Sequence, residues 1–290
     1  MHQVYAKGIL SAKNGMNLYR GCTHGCIYCD SRSTCYQMDH AFEDVEVKIN
    51  APELLEQALR KKRKRCMIGT GAMSDPYLPL EKELRLTRRC LERIDAYGFG
   101  VSVLTKSDLI LRDLDLLKSI HRKTKCVVQM TLTTYNEDLC RVVEPYVCTT
   151  ARRVEVLRIL RDAGIPTIVW MTPILPFLND TEENLRGLLQ ECRNAGVYGV
   201  MTFGIGVTLR DGDRQYFYQK LDEHFPGLKQ RYIQTYANAY VLPSPREKEL
   251  MGLVRQECED AGMEWRTDAL FAYMNRFEDR QAGIQLSLFD

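Results

Sequence analysis

Four helix-like segments of this chain end in the same kind of stop signal, an alanine followed directly, or after one tyrosine, by a glycine. The four glycines are Gly98, Gly164, Gly196 and Gly262, spaced by 66, 32 and 66 residues. Glycine at this place favours the left-handed turn that closes a helix. One interval has the length of a single βα unit and the other two have the length of a pair. The spacing therefore predicts consecutive parallel βαβ units with right-handed crossovers.

Short β-rich runs alternate with helical patterns between these glycines. Strands are predicted at 66–70, 101–105, 126–133, 167–172 and 198–203, with further candidates near 17–20 and 232–236. Helices are predicted at 52–61, 150–163 and 180–195, the last opened by Asp180 and Glu183 as a capping-box-like pair. Five to seven such units form an α/β fold, a complete or partial (β/α) barrel of parallel strands. A doubly wound open sheet is the alternative, which periodicity does not separate from the barrel.

The predicted domain organisation has three parts. The partial barrel spans 1–230, a C-terminal α/β appendage spans 231–279, and a flexible tail spans 280–290. No apolar run reaches the roughly 18–20 residues of a membrane helix, and the first residues lack a signal-peptide core. We therefore expect a cytoplasmic protein without a membrane partner. The formal net charge of +2 predicts neither nucleic-acid nor membrane binding by itself.

Three of the eleven cysteines lie within eight residues, as Cys22, Cys26 and Cys29. An odd cysteine count without an export signal makes a disulfide scaffold a poor interpretation. Thiolates at C-x3-C-x2-C on one tight loop can bind three irons of a 4Fe-4S cluster, which leaves the fourth iron open for chemistry. The alternatives are a structural zinc site completed by His24, or Cys35 as a fourth ligand. The spacing of Cys35 matches no known ligand pattern, so it receives no ligand role.

The triplet, read as C-x3-C-x-Tyr-C after a first strand, resembles the radical S-adenosylmethionine (SAM) superfamily. An ordered set of further motifs across residues 15–205 resembles the spore-photoproduct-lyase-like group, often described as predicted DNA repair photolyases. These motifs include Gly-Thr-Gly-Ala-Met-Ser-Asp-Pro-Tyr at 69–77, Thr-Lys-Ser at 105–107, Thr-Leu-Thr-Thr at 131–134, Glu-Pro at 144–145 and Pro-Ile-Leu-Pro at 173–176.

The resemblance implies an enzyme with a 4Fe-4S cluster and SAM as cofactors. Such an enzyme reductively cleaves SAM to a 5′-deoxyadenosyl radical, which abstracts hydrogen from the substrate. Here the implied reaction is lyase-like, the substrate is DNA or a DNA lesion, and the electron donor is a flavodoxin or ferredoxin. One alternative keeps this chemistry but moves it to a peptide, RNA or small metabolite. A second alternative is a non-catalytic, zinc-stabilised binding module.

The resemblance also assigns roles to residues near the predicted strand ends. The cluster ligands are Cys22, Cys26 and Cys29. The cofactor-binding candidates are Tyr28, Ser74, Asp75, Lys106, Thr131 and Arg153. Lys106 is expected to pair with the methionine carboxylate of SAM, and Asp75 to orient Ser74 or to cap the following turn. Arg153 is the weaker candidate, because a solvated helix-face arginine is the commoner case.

One position departs from the group. Spore photoproduct lyase has a hydrogen-donating cysteine where this chain has Ala72, two residues before Ser74. No catalytic residue is therefore assigned, and repair of the same lesion by the same route is not expected.

Basic residues give only a modest nucleic-acid signal. The run of six cations at 60–65 precedes a predicted strand, which places it on the barrel face opposite the active site. Arg85, Arg88 and Arg89 follow the second-strand loop and are better placed to meet DNA.

The C-terminal residues resemble the pentapeptide by which bacterial repair and replication proteins dock on the DNA polymerase sliding clamp. The residues that carry this resemblance are Gln285, Leu286, Leu288 and Phe289. A short terminus of this kind can fold into an apolar groove on binding. The alternative is that these side chains cover an apolar patch on the barrel itself.

Overall fold

A computed structural model describes residues 1–281, and its central feature is a six-stranded, all-parallel sheet. The strands lie side by side in chain order, β2-β5-β6-β7-β8-β9. Their bounds are β2 Gly15–Met16, β5 Met67–Thr70, β6 Gly100–Thr105, β7 Cys126–Thr131, β8 Thr167–Trp170 and β9 Gly199–Met201. Sequential parallel order with a helix after most strands is the arrangement of a partial (β/α) barrel. This confirms the predicted fold class.

The helices return the chain from the end of one strand to the start of the next. Those of the barrel are α1 Ala51–Lys61, α2 Glu81–Leu84, α3 Leu86–Ala96, α4 Leu114–Lys123, α5 Glu137–Val143, α6 Thr150–Asp162 and α7 Glu182–Ala195. The stop glycines after α3, α6, α7 and a later helix have φ values of 68°, 75°, 65° and 66°. Positive φ costs glycine nothing, and this explains why the predicted helix ends are accurate.

The middle strands are buried on both faces. All six residues of β7 and all but Leu104 of β6 are buried, as expected of parallel strands covered by helices. The long helices contribute one apolar stripe each, for example Leu55 and Leu59 of α1. The core therefore holds the strands rigidly and leaves the loops at their carboxyl ends to form a site.

A small second sheet lies at the N-terminal side, in the order β1-β4-β3. Its strands are β1 His2–Val4, β3 Tyr19–Arg20 and β4 Glu46–Lys48, with β1 parallel and β3 antiparallel to β4. The strand predicted near 17–20 corresponds to β3 of this sheet, and β2 of the main sheet lies just before that range. The cysteine triplet follows β3 directly.

The C-terminal part contains β10 Gly206–Thr208, α8 Asp213–His224, α9 Leu228–Tyr236, β11 Val241–Pro243, α10 Glu247–Asp260 and α11 Thr267–Asn275. The strand predicted at 232–236 is wrong, because these residues belong to α9. The buried ring of Tyr232 in α9 packs against Phe217 in α8, with the ring centres 5.4 Å apart, and a five-residue pattern does not reveal such a contact between helices.

The predicted boundary at residue 230 also falls inside α9. Beyond it, β11 pairs antiparallel with β10, and Leu250 and Val254 of α10 join the main core. Helix α11 packs on β9 through Leu270. Leu250 and Val254 therefore share the main core with the barrel.

The N-terminal cap of α7 differs from the prediction. Helix α7 is capped by Thr181, whose side chain accepts from the Asn184 amide, and not by the predicted pair of Asp180 and Glu183. The clamp-like residues Gln285, Leu286, Leu288 and Phe289 lie outside the described residues. Among residues 1–281, no helix combines the length and the apolar character needed to cross a bilayer.

Candidate active site at the carboxyl ends of the strands

A cavity of about 450 Å³ opens where β5 to β9 end. Each of these strands contributes to the cavity wall through its last residues or through the residues that directly follow the strand. The lining residues include Cys22, Cys26, Cys29, Tyr28, Ser74, Asp75, Lys106, Thr131, Trp170 and Phe203. Side chains from separate loops thus meet at one place, which is the common location of active sites in barrel enzymes.

The three cysteines lie on the loop between β3 and a short turn at Asp30–Arg32. Gly21 opens this loop with φ 91°, and a Cβ there would lie 2.5 Å from the Phe42 carbonyl oxygen. The Cys22 amide donates to that same oxygen at 2.9 Å. The loop therefore approaches its neighbour too closely for any residue but glycine at position 21.

Burial favours the neutral thiol form of Cys22 and Cys26. Burial, with the neighbouring Cys29, raises the pKa of Cys22 to about 12, and burial raises that of Cys26 as well. A thiolate is the form that binds iron, so cluster binding must displace these protons. All three cysteines are free and face the cavity, and this donor set fits an iron–sulfur cluster.

Asp75 joins the loop after β5 to the end of β6. Its Oδ1 accepts from the Tyr77 amide at 2.8 Å and from the Thr105 hydroxyl at 2.7 Å, while Oδ2 accepts from the Lys106 amide at 2.7 Å. The first bond caps the following turn, one of the two roles expected for it. Ser74 donates instead to the Gly21 carbonyl at 2.5 Å. These two residues therefore fix where the cluster loop and Lys106 lie.

Lys106 projects from the end of β6 into the cavity. Its Nζ lies 5.8 Å from the ring centre of Tyr28, and no carboxylate of residues 1–281 pairs with it. Burial alone would lower its pKa, but the nearby acidic groups, which include the Glu144 carboxylate, together outweigh burial and raise it. The ammonium thus stays charged in a half-buried place without a partner, which suits the binding of an anionic ligand group.

A buried ion pair stands behind this wall. Arg153 of α6 and Glu144 are both fully buried and form a salt bridge. Arg153 also donates to the carbonyl oxygens of Thr131 and Cys148, each at 2.8 Å. Glu144 accepts from the Tyr28 hydroxyl. Arg153 is therefore not the solvated helix-face residue that the sequence favoured; it supports the cavity wall from behind and does not line the cavity.

Glu144 belongs to the Glu-Pro motif at 144–145, for which the sequence predicts no role. The aromatic side of the cavity is likewise not predicted from the sequence. Trp170 is the last residue of β8 and Phe203 follows β9, and their ring centres are 5.5 Å apart. Phe203 is 59% exposed although it is a large apolar residue. An aromatic residue at the end of a strand is a signal that the sequence does carry. Phe203 was missed because it belongs to the β-rich run at 198–203, which was predicted to be a strand throughout.

The arginines expected to meet DNA are largely engaged elsewhere. Arg88 pairs with Asp113 and Asp115, and Arg89 pairs with Glu53. Arg88 and Arg89 therefore do not form a free cationic patch, while the exposed Arg85 pairs with no carboxylate among residues 1–281.

Ala72, the position at which this chain departs from the spore-photoproduct-lyase-like group, lines the cavity. Within residues 1–281, the only cysteines in this lining are the three of the cluster loop. The half-buried Cys148 donates to the Lys106 carbonyl at 3.1 Å, and the exposed Cys35 accepts from Arg210 at 3.3 Å.

Several proteins are similar in sequence to this chain. An uncharacterized protein of Mycobacterium tuberculosis is 34% identical over 239 residues, covering 80% of this chain and 70% of its own. An uncharacterized protein of Methanocaldococcus jannaschii is 35% identical over 176 residues, or 60% and 65% of the two chains. A radical SAM Nalpha-GlyT isomerase of Pseudomonas phage M6 is 24% identical over 60% of this chain and 35% of its own.

Solved structures show the same fold. A spore photoproduct lyase variant superposes with a TM-score of 0.63 at 17% identity, covering 86% of this chain and 74% of the lyase. A second variant, with bound AdoMet and dinucleoside spore photoproduct, gives a TM-score of 0.60 at 16% identity over 84% and 72%.

The radical SAM superfamily profile matches residues 16–192, which include the cysteine triplet and the first four strands of the cavity wall. This match overturns the alternative of a non-catalytic zinc-stabilised module. With the free cysteines facing the cavity and the lyase-like partial barrel, the chain belongs to the radical SAM superfamily and is an enzyme whose cofactors are a 4Fe-4S cluster and SAM.

Proposed function

We propose that Cys22, Cys26 and Cys29 hold the cluster and that Lys106 pairs with the carboxylate of SAM. When bound, these cofactors supply the one-electron chemistry that removes a hydrogen atom from a substrate. The unpaired ammonium of Lys106 beside the cysteine loop carries this assignment. A flavodoxin or ferredoxin delivers the electron.

The remaining site residues divide between contact and positioning. Tyr28 and Thr131 line the cavity and contact the adenosyl part of SAM. Ser74 and Asp75 fix the loops through hydrogen bonds to Gly21, Tyr77 and the end of β6. Arg153 acts through the carbonyl of Thr131.

The substrate class is DNA or a DNA lesion. The observation that carries this proposal is the aromatic side of the cavity, where Phe203 and Trp170 line the same space as the three cysteines. An exposed ring at the rim offers a stacking surface to an unstacked base, worth about 1–3 kcal/mol per base. Spore photoproduct lyase, which shares the fold, has been seen with a dinucleoside spore photoproduct.

The test uses anaerobic, cluster-loaded protein with a chemical reductant and SAM. Single-stranded and ultraviolet-irradiated DNA should each stimulate release of 5′-deoxyadenosine, and deuterium from labelled DNA should appear in that product. Phe203→Ala should weaken binding of a single-stranded oligonucleotide by about 1–3 kcal/mol. Tyr5→Ala, which removes an 80% exposed ring outside the cavity lining, is the matched control.

Two results would redirect the proposal. Stimulation by RNA, a peptide or a metabolite pool but not by DNA would establish the alternative substrate classes. Equal oligonucleotide binding by the Phe203 and Tyr5 variants would remove the aromatic surface from the argument.

We further propose that the C-terminal residues dock on a bacterial sliding clamp, which would raise the effective concentration of the enzyme at DNA. Leu288 and Phe289 would fill an apolar pocket and Gln285 would hydrogen-bond at its rim. A peptide of residues 283–290 should bind a bacterial clamp at roughly micromolar affinity. Protein lacking residues 285–290 should lose clamp binding but keep its iron and its fold. Unfolding of that truncated protein would instead mean that the tail packs on the barrel.

A further inference from the structure

Three metal-ligating side chains meet outside the cavity, on the small N-terminal sheet. His2 begins β1, while His40 and Asp44 lie on the segment that leads into β4. Because β1 pairs with β4, with His2 opposite Glu46, the sheet brings together residues that are about 40 positions apart. The His2 amide also donates to the Val45 carbonyl at 3.1 Å. The backbone therefore fixes the three side chains in one place.

The side-chain donors lie close to the spacing of a metal site. One ligand atom from each of His2, His40 and Asp44 falls within 4.8 Å of the others. His2 Nδ1 and Asp44 Oδ2 are 3.0 Å apart, and the two imidazole rings are 4.8 Å apart at a steep angle. Ligands of a tetrahedral zinc ion lie about 3.4 Å from each other, given bonds of about 2.0–2.1 Å. Small side-chain rotations would close the set.

The hydrogen bonding of His40 supports a ligand role. Its Nδ1 lies 3.0 Å from the Ala41 carbonyl oxygen, an acceptor, so Nδ1 carries the proton. Nε2 then presents a lone pair, and it is buried with no hydrogen-bond partner among the described residues. A ring nitrogen donating to a backbone carbonyl while the other is free is the usual state of a metal-binding histidine.

The other Asp44 oxygen is already engaged. Asp44 Oδ1 lies 2.9 Å from the Met1 amino group, which leaves Oδ2 to face His2. We propose that His2, His40 and Asp44 Oδ2 bind one Zn²⁺ ion, with solvent as the fourth ligand. Two imidazoles and a carboxylate are a ligand set that zinc accepts, and the partial exposure of His2 and Asp44 leaves room for a water.

This ion would join the first strand to the segment that supports the cluster loop. Phe42 lies between His40 and Asp44, and its carbonyl accepts the Cys22 amide at 2.9 Å. Zinc at this place fastens the backbone that holds the first cluster cysteine, without entering the active-site cavity. Its role is to stabilise the fold around the cluster loop.

The experiment measures zinc uptake by cluster-loaded protein, in which the cysteines of the triplet are occupied and do not compete. After chelator treatment and incubation with Zn²⁺, the wild type should retain about one zinc per chain and show a higher apparent Tm. His40→Gln should weaken zinc affinity by about tenfold or more in a competition with a chelating indicator. Asp44→Asn should do the same.

The matched control is His224→Ala. His224 is an exposed histidine 3.9 Å from the Glu223 carboxylate, with no third ligand grouped with that pair among residues 1–281. This variant should bind zinc like the wild type. Iron content and the zinc-free apparent Tm of His40→Gln should match the wild type, which separates lost binding from misfolding. No zinc uptake by the wild type, or equal uptake by the His40 and Asp44 variants, would overturn the site.

Discussion

Two lysines at opposite ends of neighbouring strands show how differently the two ends of the barrel are built. Lys125 precedes β7 and is fully buried; its Nζ donates to the Tyr273 carbonyl at 2.8 Å and lies 3.0 Å from Glu278. Lys106 follows β6, and its Nζ has no carboxylate partner in the described chain.

The pKa values of these lysines move in opposite directions. Burial lowers the pKa of Lys125, and Glu278 offsets only part of that effect. Burial alone would also lower the pKa of Lys106, but the nearby acidic groups, which include the Glu144 carboxylate, together outweigh it. At the amino end of the barrel, the buried lysine is thus neutralised by a carboxylate partner. At the carboxyl end, the lysine remains charged and available to bind a ligand. The predictions below test this division.

The largest effect is expected from the cysteines at the two ends. Cys26→Ala should abolish iron retention and reductive cleavage of SAM, because one of three ligands is lost. Cys126→Ala removes a buried thiol at the amino end of β7, and Cys35→Ala removes the exposed one. Both should keep the iron, as measured by the charge-transfer absorbance of anaerobic protein. Loss of the cluster in Cys35→Ala but not in Cys26→Ala would refute the ligand assignment.

The buried pair behind the cavity should come next. Arg153→Ala leaves the Glu144 carboxylate buried and uncompensated, which is expected to cost about 3–5 kcal/mol of stability. Arg158→Ala, on the same helix, removes an exposed arginine paired with Glu191 and should cost less than about 1 kcal/mol. Denaturant unfolding of the two variants provides the measurement. Similar costs would mean that the cavity wall does not depend on this pair.

Lys106→Ala should weaken SAM binding by about 1.5–3 kcal/mol, the range for a hydrogen bond to a charged group. The absorbance of the cluster should be unchanged. Lys125→Met, at the closed end, should lower stability and leave SAM affinity as in the wild type. If equilibrium dialysis gives Lys106→Ala the same SAM affinity as the wild type, the lysine points to solvent and the comparison between the ends fails.

The smallest expected effect concerns pH. Burial alone would raise the pKa of Glu278, but hydrogen bonds from Lys125 and Arg280 outweigh it and hold the pKa at about 2. A glutamate in the unfolded chain titrates near about 4.3. The pair therefore contributes stability that is present above that pH and is lost as pH falls toward about 2. Glu278→Gln should flatten the fall in apparent Tm over this acidic window, and Glu259→Gln, on an exposed pair with Arg255, should not.

The sequence alone determined the repeat, the parallel order and the cysteine triplet, because glycine turns, β-rich runs and ligand spacing are local properties of the chain. The sequence also identified five cofactor-binding candidates that lie on loops or at strand ends. The structure brings all five to one cavity: Tyr28, Ser74, Asp75, Lys106 and Thr131.

Only the tertiary structure decided the role of Arg153, the place of Glu144 and the aromatic side formed by Trp170 and Phe203. Residues 232–236 likewise became a helix because Tyr232 packs against Phe217. In each case the deciding partner lies on a different element of the fold. The sequence alone does not show whether a charged or aromatic side chain is solvated, because its burial and its partners depend on elements that only the fold brings together.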